Sequence, residues 1–339
     1  MVKRALITGA PGQDTREPIG ISVVIPSLNQ GRFIDEAIRS VLEQDYPNME
    51  VIVVDGGSCD DTISRLKAYG DKIRWLSEKD DGQTHAIIKG FLLAEKPWLT
   101  WLNSDDLQCN RAMWKVDEVV SARSDVEVVI GEGHYIDEDG SNPRPYPTMS
   151  FGQKSDPRTE IFEKGYVAQP SVFFRRDLYD RVGGLNPKRH LCMDYDLWAR
   201  FAVANATFAK IDSDISGNRW YRTTKTVAQL FDLYAELVAT QQTVFGAVSP
   251  YVVQAISDHL YGNLHSKFFG DKAHLFYRWV YFKALWVALN ARSPMYCLKG
   301  LCFQTLSKSG PIVADRVTLR DWLRCLPRWF SERRRARRL

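Results

Sequence analysis

The chain has 339 residues, of which 45% are hydrophobic and 25% charged, and its formal net charge is +4. This composition is typical of a globular protein and excludes an intrinsically disordered chain. The longest apolar stretch, at residues 275–291, is interrupted by Arg278 and Lys283, and the N-terminus has no continuous apolar segment. We therefore predict neither a membrane-spanning helix nor a signal peptide. The six cysteines lack Cys-x-x-Cys spacing, which indicates reduced thiols and a cytoplasmic protein.

The first predicted element is a short strand in the N-terminal segment MVKRALITGAPGQD. Gly9 and Gly12 follow the apolar residues as in a phosphate-binding turn, but Pro18 and Gly20 break the helix that such a turn requires. These first 14 residues resemble the start of enzymes of the GDP-mannose dehydratase type. Because the helix cannot form, we predict that residues 1–20 are a non-functional leader.

From residue 21 to about residue 212, apolar runs alternate with amphipathic stretches. Strands are predicted at residues 22–26, 50–56, 73–76 and 98–103, with helices between them at residues 32–44, 60–70 and 84–94. Strands and helices that alternate over such short links predict an α/β fold with a mainly parallel sheet. Polar residues follow each strand, and ligands of open α/β sheets bind at the carboxyl ends of the strands.

The strand signals end near residue 226, and residues 227–246 have the pattern of a long helix. Residues 227–339 contain 16 Lys and Arg against 7 Asp and Glu, whereas the preceding part contains 29 against 34. We predict that this helical, basic and aromatic region binds an anionic membrane surface, and we expect no nucleic-acid partner. Ordinary helical packing that ends in a disordered tail is the alternative.

Five motifs follow one another between residues 23 and 226. They read VVIPSLNQGRFIDEAIRSVLEQDYPNMEVIVVDGGSCDDT (23–62), EKDDGQTHAIIKGF (78–91), WLTWLNSDDLQ (98–108), GYVAQPSVFFRRDLYDRVGGLNP with MDYDLWAR (165–187 and 193–200), and GNRWYRTTKT (217–226). In this order they resemble the family-two glycosyltransferases, which are inverting enzymes. The resemblance covers residues 21–226 and implies the GT-A fold, a Rossmann-like, mostly parallel sheet with flanking helices. Here a C-terminal helical region follows it.

The resemblance assigns the first two motifs to the nucleotide-sugar donor. In the family, the residues that match Pro26, Asn29 and Asp55 hold the base, and Asp60 lies nearby. A carboxylate at the end of a strand, as at Asp55, can accept hydrogen bonds from the edge of a nucleobase. Asp60 also fits the N-cap of the following helix. Gln83 of the second motif is expected beside the donor.

The third motif places carboxylates directly after a strand. Hard oxygen ligands of this kind suit Mn²⁺ or Mg²⁺, which would stand between the protein and a diphosphate. The family's Asp-x-Asp motif matches here with Asn103 in place of its first Asp. The resemblance leads us to assign Asp106 to the metal and Asp105 to the ribose or to a metal-bound water. A capped, solvated turn is the alternative.

The fourth motif carries the acceptor side and the base. In the family, the segment that matches Gln169, Pro170 and Ser171 lines the acceptor, and the acidic residue that matches Asp194 is the general base. Asp196 is expected only to cap the same helix.

The fifth motif resembles the loop that closes over the donor diphosphate. Arg219 and Arg222 are its candidates for phosphate contact, and a solvated basic loop is the alternative reading.

Together the motifs predict a metal-dependent inverting glycosyltransferase with a UDP- or GDP-linked donor and a glycan or lipid-linked acceptor. A family-two member with a basic, aromatic tail suggests bacterial polysaccharide or O-antigen assembly with a lipid-linked acceptor, at the inner face of the cytoplasmic membrane. A nucleotidyltransferase and a donor-binding but inactive membrane-surface scaffold are the alternatives.

Overall fold

The structure is a computed structural model that describes residues 17–149, 156–165, 167–221 and 229–265, together with residues 282, 285–287, 289 and 290. Most of the predicted leader, the candidate phosphate ligand Arg222 and nearly all of the basic tail lie outside the described residues. Among the helices that are described, none is long and apolar enough to cross a membrane.

One sheet organises the described part of the chain. Its strands are β1 (Ile21–Ser27), β2 (Met49–Asp55), β3 (Arg74–Ser77), β4 (Trp98–Trp101), β5 (Leu107–Gln108), β6 (Val128–Ile136), β7 (Arg144–Pro145), β8 (Val172–Arg175) and β9 (Phe208–Arg219). Their order across the sheet is β3-β2-β1-β4-β8-β6-β9-β5, with β7 paired to β6.

The first four strands form the parallel half that the sequence predicts. They are joined by α1 (Ile34–Leu42), α2 (Thr62–Ala68) and α3 (Gln83–Leu93). Every residue of β1 is buried, as expected where helices cover both faces of a parallel sheet. Ser27 pairs with Asp55, which pairs in turn with Ser77, so the carboxyl ends of three strands lie side by side. This edge of the sheet carries the first candidate site residues.

The second half of the sheet is less parallel than the sequence indicates. Strand β8 runs antiparallel to both of its neighbours, β4 and β6, and β5 runs antiparallel to β9. Only β6 and β9 are parallel here, with a register shift between Gly131 and Gly133. A short apolar run such as VFFR has the same composition in either direction, so the sequence pattern did not predict its orientation. The predicted α/β class, with helices flanking a sheet whose first half is parallel, is nevertheless confirmed.

Six further helices complete the described fold. They are α4 (Ala112–Ala122), α5 (Pro157–Glu163), α6 (Arg176–Arg181), α7 (Met193–Val203), α8 (Leu230–Val244) and α9 (Pro250–His265). Alternate residues of the strands face opposite sides of the sheet, so Val24 packs in one hydrophobic core and Val23 in the other. A third, smaller core joins α8 to α9 through Val238 and Val253.

The end of the predicted leader packs against the sheet domain. The Ile19 N–H donates to Asp117 at 2.8 Å, and the Asn48 side chain donates to the Pro18 carbonyl at 2.8 Å. The Gly20 carbonyl accepts a hydrogen bond from the Trp98 N–H. Residues 18–20 are therefore held by the domain, although the sequence pattern places them in the leader.

Candidate active site

Asp55 ends β2 with a fully buried side chain. Its Oδ2 accepts hydrogen bonds from the Gly57 N–H at 3.0 Å, the Ser58 N–H at 2.8 Å and the Ser77 hydroxyl at 2.7 Å. Gly57 has a φ of +87°, a conformation that favours glycine in a tight turn. Asp55 therefore fixes the shape of the loop that follows β2.

Asn29 and Asp60 tie this loop to the one that follows β1. The Asn29 side-chain oxygen accepts from the Cys59 N–H at 2.9 Å, and Asn29 itself has a φ of +53°. Asp60 accepts from the Gly31 N–H and from the Thr62 N–H, both at 3.0 Å. Asn29 and Asp60, which the sequence predicts to lie beside the nucleotide-sugar, therefore join two loops at the edge of the sheet.

A chain of hydrogen bonds runs through the third motif. Gln83, the first residue of α3, donates its side-chain amide to the Asn103 oxygen at 2.7 Å. Asn103 donates in turn to Oδ2 of Asp106 at 2.9 Å, and Oδ1 of Asp106 accepts from the Arg219 N–H at 2.8 Å. The Asp105 carboxylate turns the other way and accepts from the Tyr221 hydroxyl at 2.8 Å.

Arg219 is the last residue of β9 and not part of a loop, because the pairing of β9 with β6 continues to this position. Its side chain is only 1% exposed and forms an ion pair with Glu36 at 2.7 Å. The guanidinium also donates to the carbonyls of Asp105 at 2.8 Å and Glu138 at 2.7 Å, and it lies over the Phe33 ring. Arg219 thus binds protein acceptors in the described structure, and its predicted phosphate contact stays a prediction.

The two adjacent carboxylates lie in a poorly hydrated environment. Burial and the neighbouring Asp105 charge raise the pKa of Asp106 to about 8. Burial also raises the pKa of Asp105 above its usual value. The described residues contain no cluster of three or more His, Cys, Asp or Glu side chains arranged around a metal position. A pair of hard oxygen donors still fits Mn²⁺ or Mg²⁺, because Mg²⁺ sites commonly use one or two carboxylates and take further ligands from phosphate and water.

A cleft of about 480 Å³ opens beside these carboxylates. Five of the predicted site residues line it, namely Pro26, Gln83, Asp105, Gln169 and Asp194. Asp106 does not line the cleft and is only 5% exposed, so the structure turns Asp105, not Asp106, toward the space a ligand would fill. Asp55, Asn29 and Asp60 do not line the cleft, and Asn29 and Asp60 are exposed.

Asp194 enters the cleft from the second position of α7. Its Oδ1 accepts a hydrogen bond from the Tyr195 N–H at 2.7 Å. Asp196, two residues later, is buried and paired with Arg200 at 2.8 Å, so it does not cap the helix as the sequence suggests. Asp105 and Asp194 are thus two carboxylates that line the same cleft.

Comparison with known proteins identifies the fold that carries this cleft. The sequence model of glycosyl transferase family 2 matches residues 22–183, which span β1 to α6. This segment belongs to glycosyl transferase family 2. Asp194 and Arg219 lie beyond the matched residues.

Several curated relatives resemble the family 2 domain at moderate identity. An uncharacterised glycosyltransferase of Rickettsia conorii is 29% identical over 195 residues, which cover 56% of this chain and 32% of the relative. One from Nostoc is 28% identical over 198 residues, covering 55% of this chain and 59% of the relative. The glycosyltransferase GlyG of Streptococcus pneumoniae is 32% identical over 126 residues, or 36% of this chain and 42% of that protein. The alignment thus spans about a third to three fifths of these relatives.

Solved structures share the fold of the family 2 domain. TarS of Staphylococcus aureus superposes with a TM-score of 0.54 at 14% identity, over 87% of this chain and 57% of TarS. Residues 1–349 of TarS, crystallised with UDP-GlcNAc, give a TM-score of 0.53 at 16% identity, over 83% of this chain and 89% of that one. At these identities the likeness establishes the fold.

Sequence reasoning missed one residue that supports the candidate site. Glu236 on α8 accepts through Oε2 from the N–H groups of His190 at 3.1 Å, Leu191 at 2.9 Å and Cys192 at 3.1 Å. These amides directly precede α7, whose own N-cap residue Cys192 makes no side-chain cap bond. Glu236 therefore fixes, from another helix, the backbone that leads into α7, including the N–H of its N-cap residue Cys192. No sequence signal points to it, because 44 residues separate Glu236 from Cys192.

The three residues that the sequence predicts to line the acceptor have different surroundings. The Gln169 side chain lines the cleft and donates to the Trp101 carbonyl at 2.8 Å. Ser171 is fully buried, and its hydroxyl donates to the Glu132 carbonyl at 2.9 Å. Pro170 lies between them in the same short 3₁₀ turn. Of this segment, Gln169 is the residue that lines the cleft.

Proposed function

We propose that this chain is a metal-dependent, inverting glycosyltransferase that moves a sugar from a nucleotide-sugar donor to an acceptor hydroxyl. The observation that carries the proposal is that Asp105 and Asp194 line one cleft beside the strand ends of a family 2 domain. One carboxylate is suited to the donor diphosphate and the other to the acceptor. The TarS fragment crystallised with UDP-GlcNAc supports a nucleotide-sugar as the ligand class.

In the proposed site, Asp105 is the protein's ligand to Mn²⁺ or Mg²⁺. This revises the sequence-based assignment to Asp106, because both oxygens of Asp106 already accept hydrogen bonds from Asn103 and Arg219. Asp106 then serves to hold the turn that presents Asp105. When bound, the cation supplies positive charge to the departing diphosphate.

Asp194 is the proposed general base. The acceptor hydroxyl oxygen forms a bond to the anomeric carbon while the bond from that carbon to the donor phosphate oxygen breaks. The electron pair leaves with the nucleoside diphosphate, and the hydroxyl proton passes to the Asp194 carboxylate. Attack from the face opposite the leaving group inverts the anomeric centre without a covalent enzyme intermediate.

The donor base is proposed to lie against the loops after β1 and β2. Pro26 and Gln83 line the cleft directly, whereas Asn29, Asp55 and Asp60 hold the loops after β1 and β2 by hydrogen bonds. UDP- and GDP-linked sugars are the donor candidates. A glycan or lipid-linked acceptor in bacterial polysaccharide or O-antigen assembly fits the basic, aromatic composition of residues 227–339.

A thermal-shift panel with UDP-glucose, UDP-GlcNAc and GDP-mannose, each with and without Mn²⁺, tests the proposal. A true donor stabilises the folded state by about 2.7 kcal/mol at 100 times its Kd. We expect one donor to raise the melting temperature of the protein in an Mn²⁺-dependent manner. On longer incubation the same donor should be hydrolysed slowly and release its nucleoside diphosphate. A panel that neither stabilises the protein nor releases nucleotide would contradict the assignment.

A further inference from the structure

Three aromatic side chains form a cluster outside the hydrophobic cores. They are Tyr135 of β6, Tyr146 just after β7, and Trp220 just after β9, and we call them the aromatic cluster. The Tyr135 ring centroid lies 4.7 Å from that of Tyr146 and 5.5 Å from that of Trp220. Trp220 is 43% exposed, and none of the three belongs to the three cores that hold the described elements together. Core packing therefore does not account for the cluster.

The aromatic cluster adjoins the acceptor side of the cleft. Tyr135 shares a face of β6 with Gly133, since residues two apart in a strand point the same way. A Cβ on Gly133 would come within 2.7 Å of the Ala168 Cβ, so this face packs against the turn that carries Gln169. Gln169 lines the cleft.

The other end of the cluster adjoins the donor side. Trp220 is followed directly by Tyr221, which lines the cleft and donates to the Asp105 carboxylate. The Trp220 backbone is fixed by its N–H, which donates to the Ile136 carbonyl at 2.8 Å. Burial raises the pKa of the Tyr146 phenol, and interactions with Tyr135 and Asp194 raise it further.

Aromatic rings beside a polar cleft suit a sugar ring. The face of an aromatic ring carries partial negative charge, and a pyranose presents weakly positive C–H groups on one face and hydroxyls at its rim. Asn218 pairs with Tyr135 across the strands, and its side-chain oxygen would lie 3.2 Å from a Cβ at Gly133. This oxygen accepts from the Ser216 hydroxyl at 3.4 Å, so polar groups lie on the same face of the sheet as the rings.

We propose that the aromatic cluster of Tyr135, Tyr146 and Trp220 binds a pyranose ring of the acceptor, with the sugar's C–H face against an aromatic ring. The acceptor is thereby a glycan or glycoconjugate whose terminal sugar lies within reach of Asp194. This inference rests on the proposed function, because it assigns the acceptor class of the same cleft.

Saturation-transfer NMR on the full chain tests the proposal with three probes, methyl α-D-glucopyranoside, methyl α-D-mannopyranoside and methyl β-D-galactopyranoside. UDP, GDP and Mn²⁺ are added to fill the nucleotide site. Trp220→Leu removes the exposed ring, and Trp220→Phe keeps a smaller one. Tyr251→Leu is the matched control, because Tyr251 is an aromatic residue of α9 with 44% exposure.

We expect the protons of one pyranose face to receive saturation in the wild type and in Tyr251→Leu. Trp220→Leu should bind the same probe about tenfold more weakly, and Trp220→Phe should restore part of the affinity. No saturation transfer to any probe in the wild type, or equal affinity in the wild type and Trp220→Leu, overturns the proposal.

Donor binding is measured on the same samples without UDP and GDP. If no variant binds UDP- or GDP-sugars, the proposed function fails, while the comparison of Trp220→Leu with Tyr251→Leu still decides whether the sugar site exists. If all variants bind the nucleotide-sugar but the affinity for the glycoside is the same with and without the Trp220 ring, only the proposed acceptor site is rejected.

Discussion

The backbone N–H of Arg219 donates a hydrogen bond to Oδ1 of Asp106 at 2.8 Å, across 113 residues of sequence. With Asn103 on the other oxygen, this bond turns Asp106 into the protein and leaves Asp105 facing the cleft. An Asn at position 103 suits this arrangement, because it accepts from Gln83 and donates to Asp106, whereas an ionised Asp has no proton to donate.

Replacing Asp105 and Asp106 one at a time should separate their roles. We expect Asp105→Asn to abolish the Mn²⁺ enhancement of donor affinity, because the ligand facing the cleft loses its charge. Asp106→Asn should retain some Mn²⁺ dependence and should lower the melting temperature, because a buried acceptor is altered. Isothermal titration of the preferred UDP- or GDP-sugar with and without Mn²⁺ measures the first effect. Enhancement that survives in Asp105→Asn but vanishes in Asp106→Asn would restore the assignment made from the sequence.

Loss of the proposed base should affect transfer but not donor binding. Asp194→Asn is expected to slow transfer by about 10²-fold or more, the usual range for a general base, with donor affinity unchanged. Asp212→Asn is the control, since its side chain is 89% exposed on β9. Initial rates with a soluble acceptor provide the measurement, and a rate close to that of the control would place the base elsewhere.

Glu236 should influence the reaction without touching the substrate. Glu236→Ala leaves three amides before α7 without their acceptor, and a hydrogen bond to a charged group contributes about 1.5–3 kcal/mol. We expect slower transfer at an unchanged KM for the donor, with partial recovery in Glu236→Gln, whose side chain still accepts a hydrogen bond. Glu118→Ala, at an exposed position of α4, should behave like wild type. An equal effect of both alanine variants on the transfer rate would remove Glu236 from this role.

Arg219 should contribute chiefly to stability. Arg219→Lys cannot reproduce the forked contacts with Glu36 and with the Asp105 and Glu138 carbonyls, so we expect the unfolding free energy to fall by about 1–3 kcal/mol. Arg144→Lys, at an exposed pair with Asp137, should cost about 0–1 kcal/mol. Urea denaturation of both variants decides the point. Wild-type stability with weakened donor binding in Arg219→Lys would instead favour the predicted phosphate contact.

The basic tail gives a prediction from composition alone. Residues 333–338 contain five arginines, and each basic residue near an anionic bilayer contributes about 1 kcal/mol of attraction. We propose that the full chain sediments with anionic liposomes at low salt and is released at high salt, and that removal of residues 328–339 weakens this binding. Equal sedimentation with neutral and anionic liposomes would contradict it.

The sequence predicted the parallel half of the fold closely, because its elements are defined by local patterns. The strand expected at residues 22–26 is Ile21–Ser27, and the helix expected at residues 84–94 is Gln83–Leu93. The direction of β8 was not predictable in this way, because it depends on how a connection crosses the sheet and not on the residues Val172–Arg175 themselves.

The candidate site was predictable as a set of residues but not in its orientation. Asp105 and Asp106 are adjacent and chemically identical, and the choice of which one faces the cleft depends on the Arg219 amide, far away in sequence. Glu236 was not predicted for the same reason, because the amides that it binds are distant in sequence. Local pattern finds the side chains that carry chemistry, whereas long-range hydrogen bonds decide where each of them points.

The bond between Arg219 and Asp106 also affects how the protein is made. Strands β1 to β4 are complete once residue 101 has been synthesised, so the parallel half can begin to pair on the ribosome. Asp106 follows at once, but its partner, the Arg219 amide, is added 113 residues later. At ~5–20 residues per second this takes on the order of 10 s. During that interval the nascent chain has much of its sheet but an incomplete carboxylate turn, and the cleft acquires its final form only after all of β9 and Tyr221 have been translated.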